Sequence, residues 1–315
     1  RKSYKRCEIN FDNPFKREFE NFRQGKILIE NEKLRALIIE HGAELTSLVE
    51  KNGSREYLWN GDAKYWKRHA PVLFPIEGKL KDDTYFVEGK EFHMTQHGFA
   101  RDSKFSVVNQ TPNSVTLELC SDEQTKTVYP YDFCLQITYE LIENVLKTNY
   151  SVKNTGTETM YFGLGAHPAF STLLEAGDRF EDYVIETEPR TTLLRIPLKN
   201  SLIDPKNAYQ EKCSPLEITH ETFKDDALIY DLKQEKETFI LKSKKHGHGV
   251  AVSSNDSKAL GIWSSYPAKG QFVCIEPWWS VADTVDSDHD FKHKYYTNVL
   301  KQSTEFNASF DIKVF

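Results

Sequence analysis

The sequence predicts an all-β fold, and more narrowly a large antiparallel β-sandwich. Apolar and polar residues alternate at a period of two from Gly25 almost to the C-terminus, which is typical of strands with one buried face. The predicted strands recur at intervals of roughly 8 to 12 residues, with Asn, Gly and Pro between them. No long segment has a helical period, so the pattern does not favour alternating strands and helices.

The individual strands can be assigned in chain order. "KILIE" and "LRALIIE" flank the turn-like "NEK" and predict a hairpin, and "FSVVNQTPNSVTLELC" predicts two strands around a Pro-Asn-Ser turn. "CLQITYELIENVLKTNYSVKNTG" predicts two more strands around Glu143 and Asn144. Later strands are predicted in "DYVIET", "TLLRI", "ALIYDL", "TFILKS", "GVAVSS", "LGIWSS", "FVCIEP" and "SFDIKVF".

The domain organisation can be predicted from the same alternating pattern. A length of 315 residues gives a soft expectation of two domains, but all-β domains often run this long. No Gly-, Ser- or Pro-rich linker and no repeat of fixed period divides the chain. We therefore predict one β-sandwich domain over residues 25–315. Residues 1–24 are charged and Phe-rich without alternation, and they are predicted to form an N-terminal extension.

Composition excludes several classes of protein. A hydrophobic content of 39% and a charged content of 28% are those of a globular chain. No apolar run approaches the roughly 20 residues of a membrane helix, and the N-terminal residues do not resemble a secretory signal, so a cytoplasmic location is expected. The net charge is −6 and no basic cluster carries interleaved aromatics, which argues against nucleic-acid partners. A small-molecule ligand is expected instead.

The cysteines predict neither a metal site nor a redox pair. There are five, scattered without C-x-x-C spacing, and we expect reduced thiols: Cys7, Cys120, Cys134, Cys213 and Cys274.

Three short stretches place ionisable side chains among small or rigid residues: "QHGFAR", "GLGAHPAF" and "CIEPWW". In the second, Pro168 restricts the backbone of His167 to an extended conformation. In the third, Glu276 ends an apolar strand and precedes two tryptophans, so burial is expected to raise the pKa of its carboxyl group. Each stretch alone is more often structural than catalytic, and only their combination indicates a site.

In combination they resemble the aldose 1-epimerase (galactose mutarotase) superfamily, and most closely its LacX-like branch. The resemblance covers the chain from about Gly25 onward and is carried by "HGAELTSL", "YLWNGDAKYWKRHAPVLFPIEGKLKDDTY", "QHGFARD", "GAHPAF" and "FVCIEPWWSVAD". It implies the large galactose mutarotase-like β-sandwich, or supersandwich, with an open cleft across one sheet. The implied activity is interconversion of the α and β anomers of an aldohexose.

The resemblance also implies roles for individual residues. Glu276 corresponds to the general base at the anomeric hydroxyl, His167 to the general acid at the ring oxygen, and His97 to a second imidazole near that oxygen. Arg101 and Asp226 correspond to residues that contact substrate hydroxyls, with Asp225 as the alternative to Asp226.

Lys79 is a further predicted substrate contact, and it stands where many relatives carry an arginine. A lysine cannot make the planar bidentate contact of an arginine, which leaves the preferred sugar open. Arg68 together with Arg101 could instead pair with a phosphate, so a hexose-6-phosphate 1-epimerase is one alternative.

The reaction itself needs one acid and one base. A positioned proton-transfer group contributes about 10²- to 10⁴-fold, so Glu276 and His167 can supply the catalysis without a cofactor or metal. Near neutral pH we expect an ionised glutamate and a protonated histidine.

A second alternative is a non-catalytic carbohydrate-binding sandwich in which Trp66, Trp278 and Trp279 stack on a sugar. The His246/His248 pair and the acidic cluster at residues 286–293 are interpreted as solvated loops rather than metal sites. The expected partner is a small-molecule sugar, and the chain is expected to be a monomer or a homodimer.

Overall fold

The computed structural model describes residues 25–315, so the predicted N-terminal extension lies outside the described residues. These residues form 27 strands. In chain order the strands are β1 Lys26–Glu30, β2 Leu34–Ile39, β3 Glu44–Glu50, β4 Arg55–Glu56, β5 Val72–Leu73, β6 Thr84–Val87, β7 Lys90–His93, β8 Ser106–Thr111, β9 Ser114–Cys120, β10 Phe133–Ile142, β11 Val145–Asn154, β12 Met160–Phe162, β13 Gly165–Ala166, β14 Ala169–Ser171, β15 Tyr183–Glu188, β16 Thr192–Ile196, β17 Leu198–Lys199, β18 Leu202–Ile203, β19 Tyr209–Lys212, β20 Leu216–Glu217, β21 Leu228–Asp231, β22 Glu237–Ser243, β23 Gly249–Ser254, β24 Ala259–Trp263, β25 Phe272–Trp278, β26 Asn298–Leu300 and β27 Glu305–Val314.

Helical structure within residues 25–315 is limited to short turns. The α-helix α1 spans Thr125–Val128, and the 3-10 turns are Lys81–Asp83, Ala100–Asp102, Phe180–Asp182, Pro205–Asn207, His220–Phe223 and Phe291–His293. No helix in this range is long and apolar enough to cross a membrane.

Two large sheets dominate the architecture. One has nine strands in the order β20-β15-β22-β23-β27-β11-β10-β9-β8. The other has eight strands in the order β19-β16-β21-β24-β25-β13-β5, with β14 as an additional partner of β25. Strands β1 to β4 form a separate four-stranded sheet, and β6-β7, β12-β26 and β17-β18 form two-stranded pairs. The all-β prediction is confirmed.

The predicted hairpins are present because local alternation and turn residues agree. Strand β1 pairs antiparallel with β2, β8 with β9, and β10 with β11. Glu143, in the turn between β10 and β11, has a φ of 53°, which is the left-handed conformation of tight hairpin turns.

One hydrophobic core joins the nine-stranded sheet to one face of the eight-stranded sheet. Its members include Ile137 of β10 and Ile312 of β27 together with Val273 and Ile275 of β25. Burial of this apolar surface is what holds the two sheets together, at about 25 cal/mol per Å² removed from water.

Strand β25 is buried on both faces, and this property positions the functional site. Because side chains alternate along a strand, Val273 and Ile275 enter the sandwich core, whereas Cys274 and Glu276 point to the opposite face. On that opposite face Phe272 and Cys274 pack with the aromatic residues Trp59, Trp66 and Trp263. A second apolar layer therefore covers the outer face of the sheet and removes Glu276 from bulk water.

The cysteine prediction is wrong for one pair. Cys120 of β9 lies directly opposite Cys134 of β10, with Cα atoms 4.1 Å apart, and the two form a disulfide bond. The register of two neighbouring strands brings them together, which spacing along the chain did not reveal. Cys213 and Cys274 are buried free thiols, as expected, and Cys7 lies outside the described residues.

Candidate active site

The floor of the site is built on β25 and its neighbours. Gly261 of β24 lies opposite Glu276, and Gly165 of β13 lies opposite Trp278. A Cβ atom at Gly261 would clash with the ring of Trp278, and one at Gly165 would lie 2.8 Å from its Cδ1 atom. The two glycines therefore let the Trp278 indole lie across the sheet, where its Nε1 donates a hydrogen bond to Oε2 of Glu276 at 3.2 Å.

His167 is held against this floor by its backbone and by aromatic rings. It lies between β13 and β14, and the backbone N–H of Ile275 donates to the carbonyl of Pro168. The ring of Trp66 stacks on the imidazole with centroids 5.0 Å apart, and Trp263 contacts it edge-on at 5.8 Å. Nε2 of His167 lies 3.2 Å from Oε1 of Glu276, so the two groups can exchange a proton directly.

His97 approaches from a different loop, and the "HGF" sequence explains how. Both His97 and Gly98 have a left-handed backbone, with φ of 68° and 71°, and a Cβ atom at Gly98 would clash with the carbonyl of Phe74. Nδ1 of His97 accepts a hydrogen bond from the Gly78 N–H at 2.9 Å, so the ring proton of the neutral imidazole lies on Nε2. The His97 ring meets that of His167 edge-on at 5.5 Å.

Burial controls the protonation of all three groups. It raises the pKa of Glu276 well above its ordinary value, and the nearby charge of Glu77 raises it further. Burial lowers the pKa of His167 to about 3, with a contribution from the positive charges of Arg101 and Arg68. Burial and the same two guanidinium groups hold the pKa of His97 well below its ordinary value, which leaves His97 neutral.

These directions differ from the expectation of an ionised glutamate and a protonated histidine. Exclusion of water penalises the charged form of both groups. In the free protein burial therefore favours a carboxylic acid beside a neutral imidazole over the separated charges of a carboxylate and an imidazolium.

An open cavity of about 320 Å³ lies over these groups, which is the lower end of the size range of small-molecule sites. The residues that line it are Trp66, Glu77, Gly78, Gln96, His97, Arg101, His167, Leu198, Ser201, Asp226, Ala227, Ile229, Trp263, Glu276, Trp278 and Ala282.

Most of the predicted site residues meet in this cavity. Glu276, His167, His97, Arg101 and Asp226 all line it. The guanidinium of Arg101 is oriented by a hydrogen bond from its Nη2 to the carbonyl of Gln96 at 3.0 Å.

Other sequence candidates lie outside the cavity lining. Asp225 does not line the cavity, which favours Asp226 of the two neighbours. Lys79 does not line it either, and its neighbours Glu77 and Gly78 contribute to the lining instead. Arg68 forms an ion pair with Asp102 at 3.0 Å.

The tryptophans divide between the two faces. Trp66 and Trp278 line the cavity, as the stacking interpretation required. Trp279 is buried in the sandwich core against Tyr150 and Phe310, because it follows Trp278 by one residue and faces the other side. The interpretation of Trp279 as a stacking platform is therefore wrong.

Glu77 is the residue that sequence reasoning missed. It is only 3% exposed and lines the cavity close to Glu276. A glutamate after the apolar run "VLFPI" is more often exposed than buried, so the sequence carried no signal for this residue.

Three groups of side chains among the described residues have the composition of metal sites, and in one of them, Glu118 with Cys120 and Cys134, both sulfur atoms form the disulfide bond. The donor atoms of His167, Cys274 and Glu276 lie within 4.8 Å of one another, and so do those of Glu175, His246 and His248. Both ring nitrogens of His246 are already used, since Nδ1 accepts from the His248 N–H and Nε2 lies 2.9 Å from Asp178.

The cluster at residues 286–293 is engaged in ion pairs with protein groups. Asp286 pairs with Lys206, Asp288 with His293, and His289 with Asp82.

Comparison with known proteins identifies the family of the chain. The model of the aldose 1-epimerase family matches residues 25–296. The chain belongs to the aldose 1-epimerase family. It is 32% identical over 300 residues to the chromosomal LacX protein of Lactococcus lactis subsp. lactis, a match that covers 91% of this chain and 99% of LacX.

Solved structures agree with this assignment. A galactose mutarotase related enzyme from Lactobacillus acidophilus is 41% identical with a TM-score of 0.90, covering 92% of this chain and 97% of that one. A galactose mutarotase-like protein from Lactobacillus casei is 33% identical with a TM-score of 0.84, covering 92% of this chain and 100% of that one. The predicted LacX-like branch and the mutarotase-like fold are both confirmed.

Proposed function

We propose that this aldose 1-epimerase family member is an active mutarotase that interconverts the α and β anomers of an aldohexose. The observation that carries the proposal is the 3.2 Å contact between Oε1 of Glu276 and Nε2 of His167 at the floor of an open cavity. A base and an acid in direct contact with one cavity suit a reaction that moves one proton off the sugar and another onto it.

The proposed reaction conserves protons at each step. Glu276 removes the proton from the anomeric hydroxyl, and His167 delivers a proton to the ring oxygen as the bond between C1 and O5 breaks. The open-chain aldehyde rotates about the C1–C2 bond. Ring closure then returns a proton from O5 to His167 and one from Glu276 to O1, and it yields the other anomer.

The resting pair is one proton transfer away from the form that this reaction needs. Moving the proton from Glu276 to Nε2 of His167 produces an ionised base and a protonated acid without any change in net charge. Substrate hydroxyls and the Nε2–H of His97 would stabilise that charge separation when a sugar displaces water, because hydrogen bonds to a charged form favour it. We therefore assign His97 as a hydrogen-bond donor rather than a proton carrier.

Anomerisation of freshly dissolved sugars tests the proposal. Polarimetry or NMR should show faster equilibration of α-D-galactose or α-D-glucose with the protein than in buffer alone. The His167→Asn variant should lose about 10²-fold or more of this acceleration, because the acid is removed while the side-chain volume is largely kept. The panel should include hexose 6-phosphates, since Arg101 in the cavity offers one guanidinium to an anion.

The same experiment separates a catalyst from a carbohydrate-binding module. A binder would leave the rate of anomerisation at the buffer value for every sugar while still showing saturable binding by NMR titration. That outcome would contradict the proposal.

A further inference from the structure

A second buried carboxyl group faces the cavity from the loop that follows β5. Glu77 is 3% exposed, and its Oε2 atom is buried without a hydrogen-bond partner among the described residues. The backbone N–H of Ala282 lies near the carboxyl group and lowers its pKa, against the larger effect of burial. A buried polar atom without a partner costs about 1–3 kcal/mol, and because Glu77 lines the cavity, a ligand group bound there can supply the missing partner.

The backbone around Glu77 makes room for this side chain. A Cβ atom at Gly165 would lie 3.1 Å from Cγ of Glu77, and a Cβ atom at Gly163 would lie 3.0 Å from its backbone nitrogen. Gly163 and Gly165, of which Gly165 also makes room for the Trp278 ring, thus lie in the same segment, "GLGAH", that carries His167. The carboxyl group and the catalytic pair share one wall of the site.

The ionisation of Glu77 is linked to that of two other buried groups. Lys294 is buried on one side, where its Nζ donates to the carbonyl of Val281 and its charge also interacts with Asp283. Glu276 shares the cavity on the other side, and its pKa is raised by Glu77. In a site that excludes water, one ammonium group cannot balance two carboxylates, so the ionised form of one carboxyl group disfavours ionisation of the other.

We propose that Glu77 is a further substrate-contacting residue, and that its free carboxyl oxygen binds a hydroxyl group of the sugar held against Glu276 and His167. The proposal rests on the proposed function, because it names a contact of the same substrate. A hydroxyl is the appropriate ligand group because its oxygen can accept the hydrogen bond that a protonated carboxyl group donates.

The protonation of Glu77 gives the contact a pH dependence. Burial raises the pKa of Glu77 to about 8, so near neutral pH the group carries a proton and can donate to the sugar. As pH rises through that value the carboxyl group loses the proton that it donates, and a negative charge appears in the cavity beside Glu276. Sugar binding is therefore expected to weaken above about pH 8.

Two substitutions test the contact. Glu77→Leu removes the hydrogen-bonding group at similar size and should raise the KM for anomerisation by about tenfold, which corresponds to a lost hydrogen bond of about 1.4 kcal/mol. Glu77→Gln keeps a donor and an acceptor but cannot ionise, so its KM should stay within a few-fold of the wild-type value. The rise in KM above pH 8 should disappear in Glu77→Gln. Far-UV circular dichroism and thermal unfolding check that each variant is folded.

The outcomes distinguish this contact from the proposed reaction. An active wild type with an unchanged KM in folded Glu77→Leu, or with the same alkaline rise in Glu77→Gln, overturns the contact and leaves the reaction intact. An inactive wild type whose sugar binding, measured by NMR titration, still weakens in Glu77→Leu overturns the reaction and leaves the contact intact. A wild type that binds none of the tested sugars overturns both.

Discussion

Glu237 of β22 and Glu276 of β25 lie in different large sheets and have opposite surroundings. Both are strand glutamates with 1% exposure. The carboxylate of Glu237 accepts hydrogen bonds from Nε of Arg190 at 2.7 Å and from the Arg190 backbone N–H at 3.0 Å. Glu276 has instead a tryptophan N–H and a neutral imidazole as its partners.

The comparison shows that burial alone does not leave a carboxyl group free to change its charge. A permanent guanidinium fixes the charge of one glutamate and turns it into a structural ion pair. An imidazole that can accept or release a proton leaves the charge of the other free to change. The difference lies in the partner, and the sequence places the two partners in unrelated segments.

The largest expected effect is that of Glu276→Gln on catalysis. The variant keeps the shape and can accept a hydrogen bond from Trp278, but it cannot remove a proton, so anomerisation measured by polarimetry should slow by about 10²- to 10⁴-fold. Its free energy of unfolding should equal or exceed that of the wild type, because an ionisable group without a fixed counter-charge is removed from the interior. Near-normal rates in a folded Glu276→Gln protein would show that another group is the base.

Glu237→Gln should give the reverse result. Neutralising Glu237 leaves the partly exposed Arg190 guanidinium with Glu235 as its remaining carboxylate partner, and the free energy of unfolding should fall by about 1–3 kcal/mol in urea titrations. The rate of anomerisation per amount of folded protein should stay at the wild-type value, since Glu237 belongs to the nine-stranded sheet and does not line the cavity. A large loss of kcat at constant fold would mean that the two regions are coupled.

The pH dependence of stability sharpens the same comparison. Because the folded-state pKa of Glu276 is raised, the folded state binds this proton more tightly than the unfolded state does, and the stability it contributes is lost as pH rises above about 4.5. The stability of Glu276→Gln relative to the wild type should therefore increase between about pH 5 and pH 8, by at most about 1.4 kcal/mol per pH unit.

His167 must be separated from this effect. Its folded-state pKa is lowered to about 3, so the unfolded state binds the extra proton between there and the ordinary value of 6.5, and stability rises with pH across that window. Subtracting wild-type from variant unfolding energies at each pH cancels most of the histidine contribution. A difference that stays constant from pH 5 to pH 8 would contradict the raised pKa of Glu276.

The sequence could predict the parts of this molecule that depend on local patterns. Alternation and turn residues were sufficient for the hairpins of β1-β2, β8-β9 and β10-β11. The motifs around Glu276, His167 and His97 were sufficient to bring three distant segments into one cavity.

The predictions that failed concern features that depend on contacts between distant segments. The Cys120–Cys134 bond requires the register of β9 and β10, and the orientation of Trp279 requires knowing which face of β25 is the core. The raised pKa of Glu276 was predicted, but His167 was expected to be protonated, because the aromatic layer formed by Trp66 and Trp263 that excludes water from its ring comes from other strands and loops. Glu77 was hidden within an apolar run whose fold brings it to the cavity only through the path of the loop after β5.

The smallest expected effect separates two neighbouring aspartates at the cavity rim. Asp226 lines the cavity in a left-handed backbone conformation, with φ of 82°, and its Oδ1 accepts a hydrogen bond from the Ala227 N–H at 2.7 Å. That bond orients the carboxylate and leaves its second oxygen for a sugar hydroxyl, and a contact of this kind is worth about 1 kcal/mol. Asp226→Asn should therefore raise KM several-fold with little change in kcat, whereas Asp225→Asn, with the same change in charge one residue away, should leave both unchanged. Equal effects of the two substitutions on KM would indicate a general influence of negative charge near the cavity rather than a contact, because a hydrogen bond depends on which of the two side chains faces the sugar while a long-range field does not.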